Sequence, residues 1–192
     1  MTPRVLRAAR RTVVPWENGG GVTREIAGFP EGGGTGGFEW RVSLAEVAGD
    51  GAFSVFPGVD RILTLAEGDG MELTVGGRRR VVGERFVPQA FPGDTPTECV
   101  LLGGPVVNFN VMYRRDRAAA RVEVVRGRLT DPVRIDAPGV GETVLVVALE
   151  GAAALGDLDL GPYDAVVLGP GADPVRLRTE GRAAVVVLRA VR

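Results

Sequence analysis

The stretch ILTLAEG at residues 62–68 recurs in altered form as VLVVALEG at residues 144–151. Each copy is an apolar run of strand length that ends in Glu-Gly and is followed by small residues typical of a turn. About 20 residues further on, each copy has an apolar run that enters a Pro-Gly turn, FVPQAFPGD at residues 86–94 and VVLGPGAD at residues 166–173. This weak internal repeat predicts two halves of similar structure.

A third apolar strand closes each copy, at residues 99–102 and 184–188. The spacing resembles the cupin pattern, in which a strand, a Gly turn and a Pro-Gly turn wrap a small jelly-roll barrel. We therefore expect an all-β bicupin of two small barrels with few short helices. Residues 1–115 are expected to form the N-terminal barrel and residues 116–192 the C-terminal barrel, with an exchange of strands between them left open. The C-terminal copy has few distinctive polar residues, which indicates a structural role.

Val-rich runs between Gly, Pro and Asp residues support the all-β prediction along the whole chain. Val and other β-branched residues favour strands, and turn signals at intervals of about 8–12 residues are typical of sandwiches and barrels. The expected strands cover residues 22–27, 38–47, 61–66, 71–75, 79–82, 98–102, 108–114, 121–125, 143–149, 165–168, 174–178 and 183–190. The glycine-rich residues 28–37 are expected to form a flexible loop.

The chain of 192 residues contains no His and no Lys, so its 23 basic residues are all Arg. This composition excludes imidazole bases, His-ligated metals, Schiff-base lysines and P-loop lysines. The single cysteine, Cys99, can form neither an internal disulfide nor a Cys-rich zinc site, as expected in a reducing compartment. We therefore expect no metal and no cofactor.

The charge and hydropathy patterns argue against nucleic-acid and membrane partners. The net charge is −1, so a broad basic footprint is not expected. The longest apolar run, residues 143–149, is far shorter than the roughly 20 residues of a transmembrane helix. The Arg triplet at residues 78–80 follows a Gly-Gly turn and predicts a solvated edge strand. A cytoplasmic location is expected.

Two polar motifs stand out in the N-terminal half. In PWENGGGVTREI (residues 15–26), three glycines after Asn18 permit close backbone approach and could present N–H groups to an oxyanion, although a plain loop between strands fits them too. Residues 38–45 alternate with a period of two, which puts Arg41, Ser43 and Ala45 on one face and Trp40 on the other. The polar face lies either in solvent or along a barrel cavity.

Two further motifs end the polar half. In DGAFSVFPGVDR (residues 50–61), turn residues and aromatics predict an ordered loop that leads into the next strand. In NFNVMYR, alternation puts Asn108, Asn110 and Met112 on one face. Asn is depleted in strands and needs hydrogen-bond partners when it is buried, so this face is unusual.

Together, PWENGGGVTREI, FEWRVSLAEV, DGAFSVFPGVDRILTLAEGDG, FPGD and NFNVMYR resemble the HutD/Ves family, in this order and along nearly the whole chain. The resemblance implies a bicupin from the bacterial cytoplasm. Some members are encoded with histidine-degradation enzymes and are thought to sense an intermediate such as urocanate or N-formylglutamate, and no firm enzymatic activity is attached to the family. The chain departs from the family pattern at Asn108, where Asp is usual.

The resemblance also implies a candidate ligand-binding pocket, with no catalytic or metal-binding residues assigned. Adjacent side chains on a strand alternate, so either Arg24 alone or Thr23 with Glu25 faces inward, and the second alternative is preferred. The candidate residues are Trp16, Asn18, Gly20, Gly21, Thr23 and Glu25 on one wall, Trp40, Arg41 and Ser43 on a second, Asp60 and Arg61 on a third, and Asn110 and Met112 on the floor.

The main functional hypothesis is a metal-free bicupin that senses or buffers a small anionic metabolite. Arg41 or Arg61 would pair with a carboxylate, and a buried Arg without a ligand would need Glu25 or Asp60 as its counter-charge. One alternative is a metal-independent isomerase, lyase or hydrolase that uses Glu25, Asp60 or Tyr113 as acid or base. Another is an interaction module that pairs through its edge strands. A homodimer is compatible with all three hypotheses.

Overall fold

The computed structural model describes residues 3–34, 36–128 and 130–191, which form nineteen strands and one 3-10 turn, Ala8–Arg10. The strands are β1 (Arg4–Leu6), β2 (Val13–Pro15), β3 (Gly21–Phe29), β4 (Trp40–Val47), β5 (Gly51–Phe53), β6 (Val59–Glu67), β7 (Met71–Val75), β8 (Arg78–Val82), β9 (Gln89–Pro92), β10 (Thr97–Leu101), β11 (Val106–Arg114), β12 (Ala118–Arg126), β13 (Val133–Ile135), β14 (Glu142–Glu150), β15 (Ala153–Leu155), β16 (Leu158–Leu160), β17 (Ala165–Leu168), β18 (Val175–Thr179) and β19 (Arg182–Ala190). The all-β prediction is confirmed.

The chain divides into two compact units, which we call the N-terminal and C-terminal barrels. The N-terminal barrel, Thr12–Ala118, has a six-stranded sheet in the order β2-β3-β4-β11-β6-β9 and a four-stranded sheet in the order β5-β10-β7-β8. The C-terminal barrel, Met1–Arg11 with Ala119–Arg192, has a five-stranded sheet in the order β1-β17-β14-β19-β12 and a four-stranded sheet in the order β13-β18-β15-β16. The boundary near residue 118 lies close to the expected one at 115.

The N-terminal segment belongs to the C-terminal barrel, which is an exchange of strands that the sequence left open. Strand β1 pairs antiparallel with β17, with Val5 opposite Val166. The Asp164 carboxylate fixes the segment: it accepts hydrogen bonds from Nη1 of Arg7 and from the amide of Ala8, each 2.7 Å long. Burial by itself would raise the pKa of Asp164, but the hydrogen bonds from Ala8 and Arg7 outweigh it and lower the pKa.

The internal repeat of the sequence corresponds to a repeat of strand order. The order β9-β6-β11-β4 in one barrel matches β17-β14-β19-β12 in the other, and the two four-stranded sheets also match. The glycines that follow β6 and β14, Gly68 and Gly151, both have positive φ values, +95° and +69°. A Cβ atom at Gly68 would lie 2.7 Å from the carbonyl oxygen of Pro105, so glycine is required there on two grounds.

Each barrel has its own apolar core. In the C-terminal barrel, buried side chains of β14 and β17 such as Val146 and Val166 pack between its sheets. In the N-terminal barrel, Leu63 and Leu65 pack against residues of β7 and β10, including Cys99. Burial raises the pKa of the Cys99 thiol to about 11, with a smaller contribution from Asp50. Among the described residues, no helix has the length and apolar character needed to cross a membrane.

Candidate functional site

A cavity of about 630 Å³ lies in the N-terminal barrel, against the inner face of its six-stranded sheet. Its walls come from β3, β4, β6 and β11, and the loop after β2 and the segment around β5 form its rim. The candidate residues that line it are Trp16, Asn18, Thr23, Arg41, Ser43, Arg61, Asn110 and Met112. The volume lies within the range of small-molecule sites.

Strand register explains why these side chains meet. Met112 on β11 lies opposite Arg41 on β4 and opposite Arg61 on β6. Asn110 lies opposite Ser43, one row further into the barrel. Directly opposite residues of an antiparallel pair project to the same face of a sheet, so two arginines flank Met112 on the cavity wall. The polar face predicted for β4 therefore lies along the cavity.

Arg41 has an internal counter-charge. Its Nε donates a hydrogen bond of 2.8 Å to Oε2 of Glu25, and Arg41 is only 9% exposed. Glu25 is itself outside the cavity lining and its side chain is 39% exposed. The pairing of β3 with β4 shifts by one residue between Glu25 and Ala27, next to this ion pair. Glu25 therefore supplies the counter-charge of Arg41.

Arg61 has no such partner. It is 8% exposed, and its Nη2 donates a hydrogen bond of 3.3 Å to Oδ1 of Asn110. Within the described part of the chain, its buried Nε has no hydrogen-bond partner and no carboxylate forms an ion pair with its guanidinium. The rings of Phe53 and Phe91 lie 4.9 and 5.2 Å from its Cζ, as in cation–π contacts. Burial lowers the pKa of Arg61 to about 10.

The second expected counter-charge, Asp60, faces elsewhere. Its Oδ1 accepts a hydrogen bond of 2.9 Å from Nε of Arg115, and Arg115 also forms an ion pair with Asp94. Asp60 and Arg61 are adjacent on β6, so their side chains point to opposite faces. Asp60 therefore lies outside the cavity lining and does not neutralise Arg61.

The aromatic wall of the cavity is Trp16. Its Nε1 donates a hydrogen bond of 2.8 Å to Oγ1 of Thr23, and its ring meets Phe53 edge to face, 6.4 Å between centroids. Gly21 lies against this ring, since a Cβ atom there would be 3.2 Å from it. Oδ1 of Asn18 accepts a hydrogen bond of 3.0 Å from the amide of Gly20. The two glycines thus shape the rim, and neither lines the cavity.

Of the two alternatives on β3, Arg24 alone or Thr23 with Glu25, the structure brings only Thr23 to the cavity. Arg24 points to the opposite face and pairs with Glu46, and Glu25 lies outside the lining. Trp40 lies outside the cavity lining, on the face opposite Arg41, and its ring stacks on Phe29 at 6.3 Å. Its assignment to the pocket is therefore not supported by its position.

Sequence reasoning did not assign several lining residues to the pocket: Val14, Pro15, Glu17, Ala45, Ala52, Phe53, Ser54 and Phe56. The alternation along β4 could have added Ala45, which continues the face of Ser43. The others lie on short strands and loops whose side-chain directions follow no sequence period. Among the described residues, no three Cys, Asp or Glu side chains come together as a metal site would need.

The two barrels with this strand order define the bicupin class. The bacterial pirin YhhW from Escherichia coli, solved in complex with nickel(II), matches with a TM-score of 0.71 over 98% of both chains. At 9% identity, this likeness concerns the fold alone. The bicupin fold predicted from the repeat is confirmed.

A sequence model of the HutD family matches residues 8–187, and the chain belongs to this family. The protein Ves of Cronobacter sakazakii is 36% identical over 87% of the chain and 88% of its own length. HutD from Pseudomonas fluorescens SBW25, solved in a formate condition, is 33% identical, with a TM-score of 0.86 over the whole of both chains. An uncharacterised 21.2 kDa protein in the hutC 3′ region of Pseudomonas putida is 42% identical, and the match spans 62% of its length and of this chain.

Proposed function

We propose that the protein binds a small metabolite with a carboxylate group in the cavity of the N-terminal barrel, and that it senses or buffers this metabolite. The observation that carries the proposal is the unpaired guanidinium of Arg61, which is buried on the cavity wall beside Asn110. Removing an ion from water costs several kcal/mol in a protein, and a ligand carboxylate would offset that cost.

The two cavity arginines have different roles in this proposal. Arg61 is the anchor, because no described carboxylate neutralises it and guanidinium and carboxylate groups pair in a bidentate fashion. Arg41 is held by Glu25 through its Nε, and among the described residues its two terminal nitrogens have no hydrogen-bond partner. Arg41 can therefore donate to a second polar group of the ligand without leaving Glu25.

The rest of the cavity suits the remainder of such a ligand. The Trp16 ring and the Phe56 side chain offer apolar surface to a planar or aliphatic part. Ser43 and the amide nitrogen of Asn110 can fix its orientation, since Asn110 uses only its carbonyl oxygen on Arg61. One charged anchor, a few polar groups and an aromatic wall are typical of metabolite-binding sites.

The names of two relatives suggest which metabolites to test first. The Pseudomonas fluorescens relative is a HutD protein, and the Pseudomonas putida relative lies in a hutC 3′ region. These names support an intermediate of histidine utilisation such as urocanate or N-formylglutamate. Urocanate joins one carboxylate to a planar ring, and N-formylglutamate carries two carboxylates, so the pair also tests whether Arg41 receives a second anion. A cytoplasmic location stays a prediction.

A thermal-shift titration with urocanate, N-formylglutamate, histidine, glutamate and formate tests the proposal. A ligand at about 100 times its Kd adds about 2.7 kcal/mol, which raises the Tm of a chain of this size by roughly 5–11 °C. We expect this shift with at least one of the five compounds in the wild type and no shift in Arg61→Met. Arg24→Met is the matched control, because Arg24 lies on the same sheet and points away from the cavity.

Three results would contradict the proposal. One is the absence of any shift with all five compounds. Another is a shift of equal size in the wild type and in Arg61→Met. A shift that disappears in Arg24→Met as well as in Arg61→Met would also contradict it, because binding would then not depend on the cavity face of the sheet.

A further inference from the structure

The outer edge of β12 is the place where the two barrels differ in strand order. In the N-terminal barrel, β4 has β11 on one side and β3 on the other. The strand at the matching position of the C-terminal barrel, β12, has β19 on one side and ends its sheet on the other. Within the described residues, no strand takes the place that β3 has beside β4.

Strand β12 is long for an unpaired edge. It has nine residues, whereas the other strands that end the described sheets have three to five. It contains no Pro, and its charged residues, Arg121, Glu123 and Arg126, are of both signs. The edge strand β8, by contrast, carries three consecutive arginines and is exposed almost throughout. The backbone groups on the outer edge of β12 are thus available to a further strand.

The sequence of β12 is complementary to itself. If a second copy of AAARVEVVR is laid antiparallel with Val122 at the centre, Arg121 of each copy lies opposite Glu123 of the other. The same register puts Ala120 opposite Val124, so small side chains meet branched ones. Opposite charges and apolar contacts at directly opposed positions stabilise antiparallel pairs. Within the strand, Nη1 of Arg121 lies 3.8 Å from Oε2 of Glu123, and both side chains are exposed, by 73% and 61%, so both can also reach a second copy.

We propose that a second copy of this chain pairs its β12 with β12 in this antiparallel register, so that two five-stranded sheets become one continuous sheet. The partner's β12 then lies beside β12 in the same way as β3 lies beside β4 in the N-terminal barrel. Val122 and Val124 are only partly buried in the single chain and gain cover in the pair. This interface does not depend on the proposed ligand, because the cavity lies in the other barrel.

Charge reversal on the full-length protein tests the register. Arg121→Glu puts like charges opposite each other at both symmetric positions, and Glu123→Arg does the same with the opposite sign. We expect each single variant to raise the dimer dissociation constant at least about tenfold in sedimentation velocity experiments. The double variant Arg121→Glu/Glu123→Arg restores both opposite-charge pairs and should dimerise like the wild type.

Mixing the two single variants gives the most specific test of the register. The two single variants are expected to be mainly monomeric when alone and to form a heterodimer when mixed, because each then faces the opposite charge. Arg79→Glu on the exposed edge strand β8 is the matched control and should leave dimerisation unchanged. A wild type that stays monomeric at every accessible concentration overturns the proposal. So does a dimer that persists unchanged in both single variants, since another surface would then form it.

Discussion

The two barrels share a strand order, but the same row of their inner faces is charged in one and apolar in the other. Arg61 and Val144 are equivalent positions, since each lies seven residues before the turn glycine of its barrel, Gly68 or Gly151. Arg61 has Met112 and Phe91 as its neighbours on the adjacent strands. Val144 has Val187 and Leu168 at the matching places. The barrel architecture therefore does not dictate its interior, because the row of Met112 holds Arg41 and Arg61, whereas Val144 has apolar neighbours on both adjacent strands.

Cavity volume alone would not separate the two barrels. The C-terminal barrel has a groove of about 530 Å³, close in size to the cavity of the N-terminal barrel. The groove is lined by valines and by charged residues of both signs, among them Arg121, Glu123 and Arg134, whose side chains are exposed. Solvated charges of both signs need no ligand. The buried, unpaired charge of Arg61 is the feature on which the proposed ligand site in the N-terminal cavity rests.

The largest expected effect comes from placing a charge in the apolar barrel. Val146 is completely buried in the C-terminal core, one row beyond Val144, and lies outside the lining of the groove. Val146→Arg leaves a buried guanidinium without a carboxylate or a solvated space, so it should lower the free energy of unfolding by about 3–5 kcal/mol. Urea denaturation monitored by fluorescence measures the change. If this variant were as stable as the wild type, the C-terminal core would tolerate a buried charge, and the proposed contrast between the two interiors would be wrong.

The next effect concerns strand β1, which belongs to the C-terminal barrel although it precedes the N-terminal barrel in the sequence. Asp164→Asn weakens the bonds from Arg7 and Ala8 that fix this segment and should cost about 2 kcal/mol, since bonds to a charged group are each worth about 1.5–3 kcal/mol. Urea denaturation at neutral pH gives the difference. Asn keeps one carbonyl oxygen, so part of the network survives.

The pH dependence of the same variant has a definite sign. The folded pKa of Asp164 is lowered, so its carboxylate stabilises the protein fully above the ordinary carboxyl pKa of about 4. This stabilisation is lost as the pH falls through the lower folded value. The gap in unfolding free energy between the wild type and Asp164→Asn should therefore narrow below pH 4. A gap that stays constant from neutral pH down to this range would rule out the carboxylate as its cause.

A smaller effect of opposite sign is expected in the N-terminal barrel. Arg61→Met removes the unpaired charge, and the thioether chain occupies a similar volume between Phe53 and Phe91. We expect the ligand-free protein to gain about 1 kcal/mol, because the lost bond to Asn110 offsets part of the relief. Denaturation in the absence of ligand measures it. A loss of several kcal/mol instead would mean that Arg61 is needed for packing rather than for binding.

The smallest effect is expected at Arg41. Its partner Glu25 is partly exposed, so Arg41→Met leaves a solvated carboxylate and should change the stability by about 1 kcal/mol or less. It should also weaken ligand binding less than Arg61→Met does, because Arg41 is already neutralised. Calorimetric titration of both variants with the same ligand compares the two. A greater loss of affinity in Arg41→Met would reverse the roles assigned to the two arginines.

The longer strands could be predicted from the sequence because they carry their own pattern. The apolar runs that form β6, β14 and β19 have bounds within two residues of the predicted ones. Three-residue strands such as β1 and β13 were not predicted, because so short a segment becomes a strand only through its partner. Gly28, expected in a flexible loop, continues β3, since Arg41 lies opposite it in the sheet.

The site was predictable to the level of side-chain alternation and no further. Alternation along β4 grouped Arg41 with Ser43 but left open whether this face met solvent or a cavity. Which carboxylate neutralises which arginine depends on the register shift beside Glu25 and on the position of Arg115 near Asp60, and neither leaves a local signal in the sequence. Arg61, on which the proposed function rests, has no carboxylate partner because Glu25 pairs with Arg41 and Asp60 pairs with Arg115. Both contacts have to be known before this can be seen.

The pairing of β1 with β17 also has a consequence for the order of events on the ribosome. The two strands are about 160 residues apart in the chain, so β1 is made long before its partner exists. At about 5–20 residues per second, the wait is roughly 8–32 s. During this time residues 12–118 can already fold, while β1 remains without its sheet. Strand β1 precedes the other described strands in the chain and is therefore among the last of them to pair.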